Sequence, residues 1–193
     1  MDITNIDGNE IIGKATESGT CKVQFQGTGN KLIIGSSVRL TGVAIVFGGS
    51  NSVIEFGDGS RLRGTFLADD GCNIKVGQRT KFNKPCRLHA AEACTIVIDN
   101  DCLFANVRFR TSDSHSIIDL GTGKRINAAS DIVIGNKVWV AENVYVYKGV
   151  TVGSGSVIGA GAIVVKSIPE NCLAAGIPAK TLKTNISWDE KRI

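Results

Sequence analysis

From position 134 to position 164 an aliphatic residue returns at every sixth place: Ile134, Val140, Val146, Val152, Ile158 and Val164. Four places after each of the first five comes a second aliphatic or small residue, in turn Val138, Val144, Val150, Ser156 and Ala162. A helix spaces its apolar residues by three or four and an ordinary strand by two, so neither produces this period. The same unit recurs earlier at a longer interval. It reads Leu32-x-Ile34-Gly35 with Val38 and Leu40, then Ile54-x-Phe56-Gly57 with Ser60 and Leu62. It returns as Ile74-x-Val76-Gly77 with Thr80 and Phe82, as Ile96-x-Ile98-Asp99 with Cys102 and Phe104, and as Ile132-x-Ile134-Gly135. Anchors 34, 56, 76 and 98 stand about 22, 20 and 22 residues apart. Coils of three short strands, each strand turning one apolar side chain inward, satisfy both periods. Glycine after the inward residue suits a corner. Six or seven such coils, about 4.8 Å apart, make a prism about 30 Å tall in which no coil buries its apolar side alone.

Composition agrees with this reading. The chain has 193 residues, the size of one domain, with 23 glycines and only 6% aromatic residues, a balance poorly suited to helices. A net charge of +4 is too small and too scattered to indicate a nucleic-acid partner. Six cysteines form no Cys-x-x-Cys pair and the two histidines are far apart, so no metal site is expected. Met1 to Asn5 has neither a basic start nor an apolar stretch, and no apolar run approaches the roughly 20 residues that cross a bilayer. The expectation is a cytoplasmic chain with reduced thiols, some filling the core, and at most peripheral contact with a membrane.

Between anchors 98 and 134 lie 36 residues, two coils' worth, and part of this stretch breaks the pattern. The segment from Arg108 to Asn127 is polar and charged, with Gly121 and Gly123 at a flexible tip. One β-helix over residues 1–184 is expected, with the excursion at 108–128 and a tail at 185–193. A regular solenoid gains nothing structurally from such an insertion, which makes it a candidate functional element. It carries His115, whose imidazole is suited to withdraw a proton near neutral pH. Asp113, two residues earlier, either orients that ring or forms a turn. Arg110 and Asn127, in the same segment, are candidate substrate contacts. His89 has no acidic neighbour in sequence and reads as structural.

The hexapeptide run, with Ser112-Asp113-Ser114-His115-Ser116-Ile117, Ile132-x-Ile134-Gly135-x-x-Val138-Trp139 and Ala174-Ala175-Gly176-Ile177-Pro178-Ala179-Lys180, resembles the left-handed β-helix acyltransferases. Within them it is similar to the capsule and O-antigen O-acetyltransferases, of which polysialic acid O-acetyltransferases are related members. The resemblance implies an all-β, left-handed parallel β-helix and a homotrimer with acetyl-CoA between adjacent prisms. His115 matches the family's general base. Trp139 matches a tryptophan that either stacks at the active site or packs the trimer interface. Backbone N–H groups near Ala141 and Ala160 match contacts to the pantetheine arm, and Lys166, Lys180 and Lys183 fall where relatives hold the CoA phosphates. The implied reaction is acetyl transfer from acetyl-CoA to a sugar hydroxyl of a surface polysaccharide or its precursor, with no metal. N-acetylation of a nucleotide-linked amino sugar is the alternative; enzymes of that kind often carry an added nucleotide-binding domain, for which this chain leaves no room. Zinc-dependent γ-carbonic anhydrases share the fold but need three histidine ligands, against two histidines here. A purely structural β-helix is disfavoured by the His115 segment and the late lysines.

Overall fold

The computed structural model describes residues 1–192, in which every regular element is a β-strand. There are 22, numbered in chain order, and they wind into a three-sided solenoid. The first face stacks seven parallel strands: β2 (Glu10–Ile12), β5 (Lys31–Ile34), β7 (Val53–Phe56), β9 (Asn73–Val76), β12 (Thr95–Ile98), β15 (Ile132–Ile134) and β18 (Thr151–Val152). The second holds β3 (Thr16–Ser18), the first parts of β6 (Arg39–Phe47) and β8 (Arg61–Ala68), then β10 (Lys81–Phe82), β13 (Leu103–Ala105), β16 (Trp139–Glu142), β19 (Val157–Ile158) and β21 (Leu173–Gly176). The third holds β1 (Asp2–Thr4), β4 (Lys22–Phe25), the remainders of β6 and β8, then β11 (Cys86–Ala90), β14 (Arg108–Arg110), β17 (Tyr145–Tyr147) and β20 (Ile163–Val164). The last strand, β22 (Ala179–Lys183), turns back antiparallel to β21.

The expected inward residues form the core. Ile54 pairs with Ile74, Ile74 with Ile96 and Ile96 with Ile132, all buried. A second column runs Ile34, Phe56, Val76, Ile98, Ile134 and Val152. Alternate side chains point out, as period-two strands require. All seven phenylalanines lie inside, and five of them are linked ring to ring, from Phe56 through Phe66, Phe82 and Phe104 to Phe109, at centroid distances of 4.9 to 5.7 Å. Such contacts add about 0.5–1.5 kcal/mol each beyond area burial. All six cysteines are free and five are buried. Burial pushes the Cys86 and Cys102 thiols up to about 12, so both behave as core fillers.

Ile96 and Ile98 pair directly with Ile132 and Ile134, so the 36-residue interval is one coil plus an insertion. The excursion starts later than expected, because Arg108–Arg110 are β14, in register with β11 and β17. Alternating Arg-Phe-Arg reads as polar in sequence, yet places Phe109 inside and both arginines outside. No helix among the described residues is long and apolar enough to cross a membrane.

Candidate active site

The excursion, residues 111–131, leaves the corner between the third and first faces and is closed at its neck. The Thr111 hydroxyl donates to Ala91 O at 3.1 Å and accepts from Ala91 N–H at 2.8 Å, while Ser130 N–H donates to Thr111 O at 3.0 Å. Beyond the neck the segment forms a hairpin. Ile126 N–H donates to Ile117 O at 2.9 Å, Asp119 N–H to Lys124 O at 2.9 Å, and the Asp119 carboxylate caps Thr122. The hairpin exposes four aliphatic side chains, Ile117, Ile118, Leu120 and Ile126, with Leu120 98% exposed.

His115 stands where the chain enters this hairpin. The residue before it, Ser114, has a left-handed backbone (φ 68°), a conformation uncommon for residues other than glycine. Ser114 N–H donates to the Ser112 hydroxyl at 3.0 Å, and the Arg110 guanidinium donates to the Ser114 hydroxyl at 2.8 Å. His115 is exposed, and its ring makes no hydrogen bond among the described residues. An accessible imidazole can accept a proton from a hydroxyl brought within hydrogen-bond reach.

Asp113 is committed elsewhere. Its carboxylate accepts from Lys148 Nζ and from Asn127 Nδ2, and these bonds, Lys148 first, hold its pKa below the usual carboxylate range. Glu92 lies one coil below. It accepts from the Ser112 hydroxyl and from both terminal nitrogens of Arg125, at 2.6 and 2.9 Å. Arg125 and then Ser112 pull its carboxyl from 4.5 to about 2.

The remaining predicted residues fall into two groups. Arg110 and Asn127 join Asp113 and His115 at the excursion. Arg110 also helps line a depression of about 210 Å³ with Arg87, His89, Arg108 and Phe109. Trp139, Ala141, Ala160, Lys180 and Lys183 lie instead on or beside the second face. Trp139 pairs with Val157 on β19, and Lys180 and Lys183 stand opposite Ala175 and Leu173. Lys166 is exposed beyond β20, at the corner from which the excursion leaves. The first-face strand β15 lies between the excursion that carries His115 and the second-face strand β16 that carries Trp139. Among the described residues no cluster of three acidic, histidine or cysteine side chains is arranged to hold a metal ion.

The sequence profile of the bacterial transferase hexapeptide (six repeats) family matches residues 131–166. A polysialic acid O-acetyltransferase of Escherichia coli O1:K1 / APEC is 45% identical over 130 residues, 67% of this chain and 42% of the relative. A second polysialic acid O-acetyltransferase, from Neisseria meningitidis, is 32% identical over 136 residues, 68% of this chain and 63% of the relative. The chain therefore spans less than two thirds of either curated relative. The crystal structure of the polySia specific acetyltransferase NeuO superposes with a TM-score of 0.92 at 41% identity, covering 95% of this chain and 79% of that one. The chain belongs to the hexapeptide-repeat transferases.

Several residues of this hexapeptide-repeat site escape a reading of the sequence. Glu92, Arg125 and Lys148 form its ionic frame, and Glu92 and Lys148 lie 20 and 35 residues from their loop partners. The coil period holds the missing signal, since Glu92 precedes Ser112 by one coil length. The same offset gives His89 an acidic partner that its sequence neighbours lack: Asp69, one coil below, lies 2.9 Å from His89 Nε2. The tail also packs back. Trp188 Nε1 donates to Lys137 O at 2.7 Å, its ring centroid is 6.0 Å from that of Trp139, and Glu190 pairs with Lys81 at 2.7 Å.

Proposed function

We propose that this chain transfers the acetyl group of acetyl-CoA to a hydroxyl of a surface polysaccharide or its precursor, with His115 as general base. The observation that carries the reading is the placement of an exposed imidazole on a braced excursion from an otherwise regular hexapeptide solenoid. The names of the curated relatives, polysialic acid O-acetyltransferases, support oxygen as the acceptor atom. In the step, the imidazole takes the hydroxyl proton while the sugar oxygen attacks the thioester carbonyl. The new C–O bond forms, the C–S bond breaks, and the proton passes from the imidazolium to the departing thiolate, giving free CoA. Backbone N–H groups near Ala141 and Ala160 suit the pantetheine arm, and one there would steady the oxyanion. Lys166, Lys180 and Lys183 suit the CoA phosphates on charge grounds. Arg110, beside the His115 turn, suits the acceptor.

The active unit in this reading is a homotrimer with sites shared between copies. Two features support it. His115 lies on the excursion before the first-face strand β15 and Trp139 on the second-face strand β16 after it, and the excursion presents Ile117, Ile118, Leu120 and Ile126 to solvent, an apolar surface that a second copy would cover. Acetyl-CoA is expected to raise the unfolding temperature of the wild type. His115→Ala is expected to lower thiol release about 100-fold or more while leaving the oligomer intact, the usual scale for loss of a general base. Turnover retained in that variant would remove His115 from the role.

A further inference from the structure

The group that holds His115 in place is an amide. Asn127 is 7% exposed, and both ends of its side chain are engaged. Nδ2 donates to the His115 carbonyl at 2.8 Å and to the Asp113 carboxylate at 2.9 Å, while Oδ1 accepts from the Ile117 N–H at 2.8 Å. One rigid plane therefore grips the backbone on both sides of Ser116. Only a primary amide offers a donor and an acceptor with this spacing; a carboxylate lacks the donor and a hydroxyl lacks the reach. Asn127 is itself held, since its carbonyl accepts from Lys148 Nζ at 2.8 Å and from Arg125 at 3.2 Å. Arg125 is fixed by Glu92, which also takes the Ser112 hydroxyl at the other end of the excursion.

We propose that Asn127 is the positioning residue for His115, and that Glu92 anchors the excursion on which Asn127 acts. The proposal rests on His115 being the base. An exposed imidazole on a long excursion would otherwise sample many positions, and misplacement by about 1 Å costs on the order of 100-fold in rate. This role differs from substrate contact, because the amide has its donors and its acceptor taken up within the excursion.

The test compares Asn127→Ala, Asn127→Asp and Glu92→Gln with His115→Ala in the full chain. Asn127→Asp is the sharpest variant. It keeps an acceptor for Ile117 N–H, cannot donate to the His115 carbonyl, and sets a second carboxylate beside Asp113. Turnover is read as thiol release from acetyl-CoA with polysialic acid as acceptor. The expected result for Asn127→Asp is a kcat about 100-fold lower with KM for acetyl-CoA within about threefold, the pattern of a group lost from the transition state only. Glu92→Gln moves the same way by less.

A second readout needs no acceptor. The chain has two histidines, so the ring resonances of His89 and His115 are assigned from His115→Ala alone. In Asn127→Asp the His115 resonance is expected to broaden or split while that of His89 stays in place, and trypsin should cut faster after Lys124 and Arg125. A general loss of stability would move both histidines. Wild-type His115 resonances and wild-type cleavage in Asn127→Asp would overturn the proposal. Turnover retained by His115→Ala would overturn the base reading instead, leaving the resonances to decide what Asn127 holds.

Discussion

Glu92 occupies a corner where two successive residues, Glu92 and Ala93, have left-handed backbone with φ of 58° and 54°. That turn lifts the carboxylate toward the excursion above it, where it meets Arg125 and Ser112. The folded carboxyl is drawn from 4.5 to about 2, so the sign of its linkage is fixed. Its contribution is fully present above the unfolded value and is lost as pH falls from about 4.5 to about 2. The unfolding temperature of Glu92→Gln should therefore lie below wild type at pH 6, and the gap should close as the pH approaches 2. A gap that persisted unchanged at pH 2 would show that the carboxylate charge is not what Arg125 and Ser112 stabilise.

The strands β6 and β8 each run round a corner without a break, and a glycine makes the turn in both. Gly64 has φ of +110°, and a Cβ there would lie 1.9 Å from Cys86 O on the strand above. Gly42 turns the equivalent corner with φ of +58° and open space on the Cβ side. Gly42→Ala should therefore cost about 1–2 kcal/mol, the strain of the left-handed backbone alone. Gly64→Ala must also push β11 away from β8, and overpacking adds about 1–3 kcal/mol to that strain. Thermal or denaturant unfolding of the two variants separates the terms, and equal losses would refute the steric account. The displaced strand, β11, pairs with β14, which leads directly into the excursion. The corner at Gly64 is thus linked to the excursion through two strands.

At the scale of the molecule, a site shared between copies, as proposed, makes a prediction that a self-contained site would not. His115→Ala and Trp139→Ala chains should each be inactive alone. Co-refolded in equal amounts, they should recover about a quarter of wild-type turnover, since a site shared by neighbouring copies draws its two parts from chains picked at random. No recovery in verified mixed oligomers would mean that each site takes both residues from one chain. Trp139→Ala retaining full activity alone would assign that ring to packing, where the Trp188 indole already meets it.

The period of six was enough to give the coils, the inward columns and the break that carries His115, because alternation and spacing decide which side chains face the core. What an outward side chain touches depends on the length of each coil, which varies along this chain, and pairing does not follow from any local pattern. Asp69 meets His89 and Glu92 meets Ser112 at offsets of 20, Arg79 meets Asp101 at 22, and Lys148 meets Asp113 at 35. Asp113 adjoins His115 in sequence, where it either orients the ring or forms a turn, and its carboxylate accepts from Lys148 of the next coil and from Asn127. The repeat by itself determined the solenoid and pointed to the excursion and its histidine. Only the tertiary structure decided where in the 36-residue interval the insertion begins, and which buried amide bonds across it. Register between coils is a property of the stacked whole, set by how many residues each corner absorbs.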